Sequence, residues 1–191
     1  MTTGTKTSES LWDKMVRAAK FDIEFYEEVE ADSTTTGQAF TVVLLVGLAT
    51  GIGSGIGGLI EQSAIWFLWG LLIGIATTVI GWLIWALFAY WIGTTIFKGP
   101  DTEATYGQLL RTLGFAHSPG LLRVFSFIPY LGGLISFAAS VWFLIAGIIA
   151  VRQALDFSTG RAIATCIVGW VIYTLIAFLI TGFVIGAAVL F

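Results

Sequence analysis

An all-α, polytopic transmembrane helical bundle of about five membrane-spanning helices, the third one short, is the fold this sequence predicts. Charged residues make up only 11% of the 191 residues and hydrophobic ones 57%, whereas soluble domains carry about 25% charged residues. Mean hydropathy is +0.92. The charges are also unevenly spread, with 12 of the 21 lying between Lys6 and Asp32. Beyond Asp32 the chain is a series of long uncharged runs separated by short polar turns, a pattern that lipid solvates better than water.

Residues 1–38 read as a polar N-terminal tail containing an amphipathic helix, and residues 39–191 as the transmembrane domain. Within the tail, Leu11, Trp12, Met15, Val16, Ala19, Ile23 and Tyr26 recur at spacings of three and four, which puts them on one helical face. An acidic run ends the helix at Asp32, and Ser33 to Gly37 breaks it. That face either lies on the membrane surface or packs on the loops; the alternative is that residues 8–32 form a docking platform for a cytoplasmic protein partner.

The first span covers residues 39–60, enough to cross roughly 30 Å of hydrocarbon. Gly47, Gly51 and Gly55 share one face, where small residues let another helix approach closely. Whether that partner helix belongs to this chain or to a second copy in a homo-oligomer stays open. After Glu61-Gln62-Ser63, the apolar run from Ala64 to Phe97 suits one long tilted helix. Residues 104–117 are moderately polar and predict a short helix along the membrane surface, broken by Ser118-Pro119-Gly120. The next apolar piece, 121–130, either crosses with help from its flanks or is a re-entrant segment. A fourth span runs from Leu134 to about Ala154, and a long fifth from Ala162 to Phe191.

With five crossings and a cytoplasmic N-terminus, the inside segments are 1–38, 98–120 and 153–161, with Arg123 and Arg152 at inner helix ends. All nine Lys and Arg then lie on the cytoplasmic side, as the positive-inside rule requires. The expected location is the cell membrane, with the C-terminus outside. No cleavable signal peptide is visible in the polar first ten residues, so the first span is expected to act as the insertion signal.

The run Tyr106 to Pro119, then a short apolar piece, a long span, Arg152-Gln153-Ala154-Leu155 and Ser158-Thr159-Gly160-Arg161-Ala162, resembles a Yip1 domain. Such domains carry an element like Gly-Tyr-three residues-Pro. Here Gly114-Phe115-Ala116-His117-Ser118-Pro119 matches it, with Phe115 in the place of Tyr. The resemblance extends over residues 36–190, and Tyr26 to Asp32 is similar to prokaryotic members. It implies a five-helix membrane domain with a cytoplasmic N-terminus. Eukaryotic members are linked to Rab GTPases and vesicle traffic, and their Asp-Leu-Tyr-Gly-Pro element has no counterpart in residues 1–38. The resemblance to prokaryotic members supplies no activity.

Chemistry-bearing residues are sparse. Gly53 to Gly58 contains a formal GxGxxG pattern, but inside an apolar span it lacks the strand and acidic residue of a dinucleotide site. His117 and Cys166 are the only histidine and cysteine, so no disulfide, metal site or cofactor is expected. No basic stripe suits nucleic acid. Arg111, Arg123, Arg152, Asp156 and Arg161 share a predicted depth and are expected to gather at the cytoplasmic mouth, where lipid headgroups bind; independent snorkelling of each is the plainer reading. The function these features suggest is a non-enzymatic membrane scaffold or adaptor that binds a protein partner or membrane lipids. A small-molecule or lipid transporter is the alternative.

Overall fold

The computed structural model describes residues 9–99, 102–172 and 175. All regular elements among them are helical, as the composition predicts. Helix α1 (Leu11–Ala19) starts where the Ser10 hydroxyl accepts the amide of Asp13, and α2 (Ile23–Ala31) where the Asp22 carboxylate accepts that of Phe25. Between them Phe21 takes a positive φ of 63°, so the single amphipathic helix expected from the periodicity is a hairpin of two. A 3-10 turn, Ser33–Thr35, leads straight into α3 (Thr36–Glu61), and α4 (Ala64–Thr95) returns beside it.

Gly47, Gly51 and Gly55 of the first span face α4 of the same chain. A methyl at Gly47 would meet the Ile75 Cα at 3.0 Å, and one at Gly51 the Leu71 carbonyl oxygen at 2.7 Å. At Gly55 it would meet the Phe67 carbonyl oxygen at 2.8 Å. The descending partner numbers make the pair antiparallel. Gly70 and Gly74 of α4 answer from the other side, touching the backbone of Gly55 and Gly51. Lipid tails are as apolar as leucine, so helices gain nothing by hiding apolar surface from them. Close backbone contact is what holds such a pair.

Helix α5 (Tyr106–Ala116) corrects the expectation of a surface helix: Leu109, Leu113 and Phe115 are fully buried. It is wedged among α2, α3, α4 and α6, with Gly114 against Ala39 and the Trp82 indole donating to the Leu110 carbonyl at 3.0 Å. Its polar residues, which suggested water, find their partners inside the chain. A ten-residue 3-10 segment, Ser118–Phe127, continues along α3, placing Gly120 on Val46 and the Arg123 backbone on Gly53. From Ala39 to Gly53, α3 is thus accompanied for about 21 Å. The piece read as 121–130 is therefore the end of a composite path that begins in α5. Non-α backbone of this kind is tolerated at membrane depth only where protein encloses it; here α3 and α6 do so.

Helix α6 (Leu131–Ala154) runs back, and an apolar helix, α7, comes next over Thr159–Ile172. Among the described residues, three helices are long and apolar enough to cross a membrane: Ser33–Ile60, Ala64–Thr95 and Leu131–Ala154. Most of the fifth expected span lies outside the described residues.

Candidate functional site

Two places concentrate polar chemistry. The first is the junction of the N-terminal hairpin with the bundle. Phe25 and Tyr26 are wholly buried, Phe25 meeting Phe115 edge-on at 5.1 Å between ring centres. Arg111 Nε donates to the Val29 carbonyl at 2.8 Å, and its Nη2 donates to the Glu30 carbonyl. These carbonyls belong to the last turn of α2, where intrahelical donors run out and a cation is favoured. Gln108 serves two elements. Its Oε1 accepts the Thr105 amide at 2.6 Å, closing a capping box, while its Nε2 donates to Glu30 Oε1 at 2.8 Å. Burial, together with the negative charge of Asp156, pushes the Glu30 carboxyl up to about 7, against the opposing pull of Gln108 and Arg111. Gln153 Nε2 donates to Glu27 at 2.8 Å, and the Trp142 indole donates to the Ala19 carbonyl at 2.7 Å, so α6 holds both arms of the hairpin.

Of the five charged residues expected to gather at one mouth, four lie at this hairpin end. Asp156 acts on Glu30, Arg161 touches Gly99, and Arg152 sits in the last turn of α6 near Gln153. No ion pair joins these four among the described residues. Arg123 is set apart. Its Nη2 donates to Ser140 Oγ at 3.0 Å. Ser140 is nine residues from the start of α6 at Leu131 and fourteen from its end at Ala154, or about 13 and 21 Å along the axis. A sequence count could not see this, because the 3-10 segment carries Arg123 inward along α3 instead of leaving it at a helix end.

Arg123 lines the second place, a cavity of about 820 Å³ between α3, α4, α6, α7 and the 3-10 segment. The walls are largely apolar, with Trp85, Phe143 and Leu144 among them. His117 also faces it; its Nδ1 lies 2.7 Å from the Leu113 carbonyl, which only accepts, so Nδ1 carries the proton. Thr77 and Thr78 donate to carbonyls of their own helix at 2.7 Å each. The hydroxyl oxygen of Thr50 is buried and has no hydrogen-bond partner among the described residues.

Residues 22–190 match the Yip1 domain. The chain belongs to the Yip1 domain family. No curated protein and no solved structure matches it. In this Yip1 domain the motif residues hold α5 in place. The Tyr106 hydroxyl donates to the Leu83 carbonyl at 3.0 Å, Gly114 admits α3, and Phe115 packs on α2. Pro119 is buried and opens the 3-10 segment, a position that needs no amide donor. Phe115 lacks the hydroxyl of the family's tyrosine, and its buried site against Phe25 is an aromatic one. The match begins at residue 22, so the second helix of the hairpin is part of the domain while α1 precedes it.

Proposed function

We propose that this Yip1 domain is a non-enzymatic membrane scaffold whose N-terminal hairpin forms a rigid, acidic docking face for a basic partner in the cytoplasm. The observation that carries this reading is the way α2 is spent. Its apolar face is consumed on the bundle through Phe25, Tyr26 and Val29, while Glu24, Glu27, Glu28 and Asp32 are exposed. An anionic cytoplasmic leaflet attracts basic segments, so a carboxylate face beside the bilayer suits a protein better than lipid. Partner binding here would use a surface already ordered by Arg111, without the entropy cost of folding a tail.

The test is affinity purification in mild detergent at native expression level, comparing the full chain with Glu24→Lys/Glu28→Lys. A stoichiometric partner lost in the double variant, with thermal unfolding preserved, supports the reading. Stoichiometric retention that survives charge reversal sinks it. A second reading, handling of a small molecule or lipid across the bilayer, draws on the cavity around Arg123, and flux through reconstituted liposomes is its test.

A further inference from the structure

We infer that the cavity around Arg123 is a binding site for a long-chain carboxylate, with the headgroup on the guanidinium and the chain along the aromatic wall. This inference is independent of the docking face at the hairpin end.

Arg123 is a cation with no ion-pair partner among the described residues. An ionisable side chain at membrane depth is costly and is normally paired with an opposite charge. No Asp or Glu lies within ion-pair reach of Arg123 among the described residues. Outside the described residues the sequence holds one carboxylate side chain, Asp101, and residues 1–8 and 173–191 contain neither Asp nor Glu. The one hydrogen bond that Arg123 makes among the described residues goes to the neutral hydroxyl of Ser140, itself donating to the Ser136 carbonyl at 2.8 Å. A guanidinium offers five donors in a planar fork that matches a carboxylate, and among the described residues most of that fork is unspent.

A second, separate observation is the Thr50 hydroxyl. Threonine in a helix ordinarily donates to the carbonyl one turn back, as Thr77 and Thr78 do across the same cavity. The Thr50 oxygen is buried on the cavity wall and unpartnered among the described residues. Buried polar atoms in native proteins are nearly always satisfied, and an exception points to a group that completes it. A donor at Thr50 and a cation at Arg123 both call for an acceptor. His117 donates its Nδ1 proton to the Leu113 carbonyl, so that nitrogen is already spent within the chain.

The lining also selects within the acceptors. One cation matches a monoanion, whereas a phosphate monoester would bring close to two charges to a single arginine. The cavity, at about 820 Å³, falls in the range of roughly 300–1,000 Å³ typical of small-molecule sites. Its walls are mostly hydrocarbon and indole, and of its hydroxyls those of Thr77, Thr78 and Ser140 already donate to carbonyls of their own helices. A carboxylate is also the smallest anionic headgroup a lipid can carry, which suits a charge some 13 Å inside the end of α6.

The experiment uses the full chain in detergent micelles, titrated with 9,10-dibromostearate while tryptophan emission is followed. Trp82, Trp85 and Trp170 line the cavity, so bromine held there quenches them. The expected result is saturable quenching by the carboxylate and only unsaturable, partition-like quenching by its methyl ester. Arg123→Gln should weaken the saturable phase about tenfold or more. Gly81→Leu is the second variant: its new side chain enters open space on the cavity wall, leaving Arg123 untouched, and should abolish the saturable phase. Equal quenching by acid and ester, or unchanged affinity in either variant, overturns the inference. Saturable, Arg123-dependent quenching by dibrominated phosphatidylglycerol overturns it too, assigning the cavity to a bilayer phospholipid. Should Arg123→Gln fail to fold, the ester comparison and Gly81→Leu decide alone.

Discussion

Along the seam between α3 and α4 the contact is backbone against backbone, with Gly47, Gly51 and Gly55 facing Ile75, Leu71 and Phe67. Between α2 and α5 it is a polar junction, in which Arg111 and Gln108 reach across to Val29 and Glu30. The first seam is built for a medium that gives helices no hydrophobic reward for meeting, so it removes side chains until the dispersion contacts of the main chain suffice. The second lies where one helix ends, and it is built from the carbonyls that helix leaves unsatisfied. Many small contacts spread over several turns hold the one; in the other, two polar side chains supplement the contact of Phe25 with Phe115. The α3–α4 seam should therefore fail by overpacking and the α2–α5 junction by deletion.

The largest expected effect is on the glycine seam. Gly51→Leu forces a side chain into the Leu71 backbone and should cost about 3 kcal/mol, the upper range for overpacking. The comparison that sharpens it is Gly57→Ala, where the added methyl meets nothing within 4 Å and the gain in helix propensity should leave stability unchanged or slightly raised. Thermal unfolding in mild detergent, followed by size-exclusion, reads both. If Gly51→Leu melts with the parent, α3 and α4 are not held by backbone contact.

Next comes Arg111→Ala, which strips the last turn of α2 of its charged donor and should cost about 2 kcal/mol. The expected signature is local. Amides of residues 23–31 should lose hydrogen-exchange protection while α3 and α4 keep theirs. Arg111→Lys should recover little, because an ammonium cannot hold two carbonyls in the guanidinium's planar geometry. Uniform loss of protection across the bundle would break the distinction between the two seams.

Legibility in the sequence divides along the same line. The glycine face is written in local periodicity, and the helical class comes from charge-free runs whose length the bilayer sets. The polar junction is not local: Arg111 and Gln108 find their partners about eighty residues upstream. Their polarity alone suggested a surface helix. The Thr105-x-x-Gln108 capping box was available in the sequence as a helix-start signal. Arg123 was misplaced for a different reason. Counting charges by side assumes that each sits at a helix end, and a 3-10 segment that accompanies α3 inward violates that assumption. Thr50 carried no signal, since a threonine within an apolar run is ordinary until its hydroxyl is seen without a partner.

A smaller effect tests the junction through pH. The Glu30 carboxyl, held up to about 7 by burial and the negative charge of Asp156, binds a proton in the folded hairpin at pH values where the unfolded one has lost it. The stability this contributes is complete below the unfolded value of 4.5 and is lost as pH rises through 7. Allowing for solvent screening at a half-buried carboxylate, the change should amount to about 1 kcal/mol. Glu30→Gln keeps an acceptor for Gln108 and should flatten the profile between those limits. A slope unchanged in the variant would move the titration to another group.

The smallest effect belongs to the exposed charges around Arg17, which approaches Glu28 at 3.0 Å, Glu9 at 3.3 Å and Asp22 at 2.7 Å. Exposed pairs of this kind are worth about 0–1 kcal/mol and are screened by salt, so Glu28→Gln should shift stability by under about 0.5 kcal/mol. Asp22 differs because it also caps α2, accepting the Phe25 amide at 3.1 Å. Asp22→Ala should cost about 1 kcal/mol and persist in high salt, while Asp22→Asn keeps the cap and should lose little. The Arg17 guanidinium holds the Asp22 carboxyl below its ordinary 3.8. The stability this contributes is therefore present above that value and lost as pH falls below it, the opposite sense to Glu30. If Asp22→Asn proves as damaging as Asp22→Ala, the ion pair, and not the cap, positions α2 on the bundle, and the surface charges of the hairpin gain a structural weight that their exposure argues against.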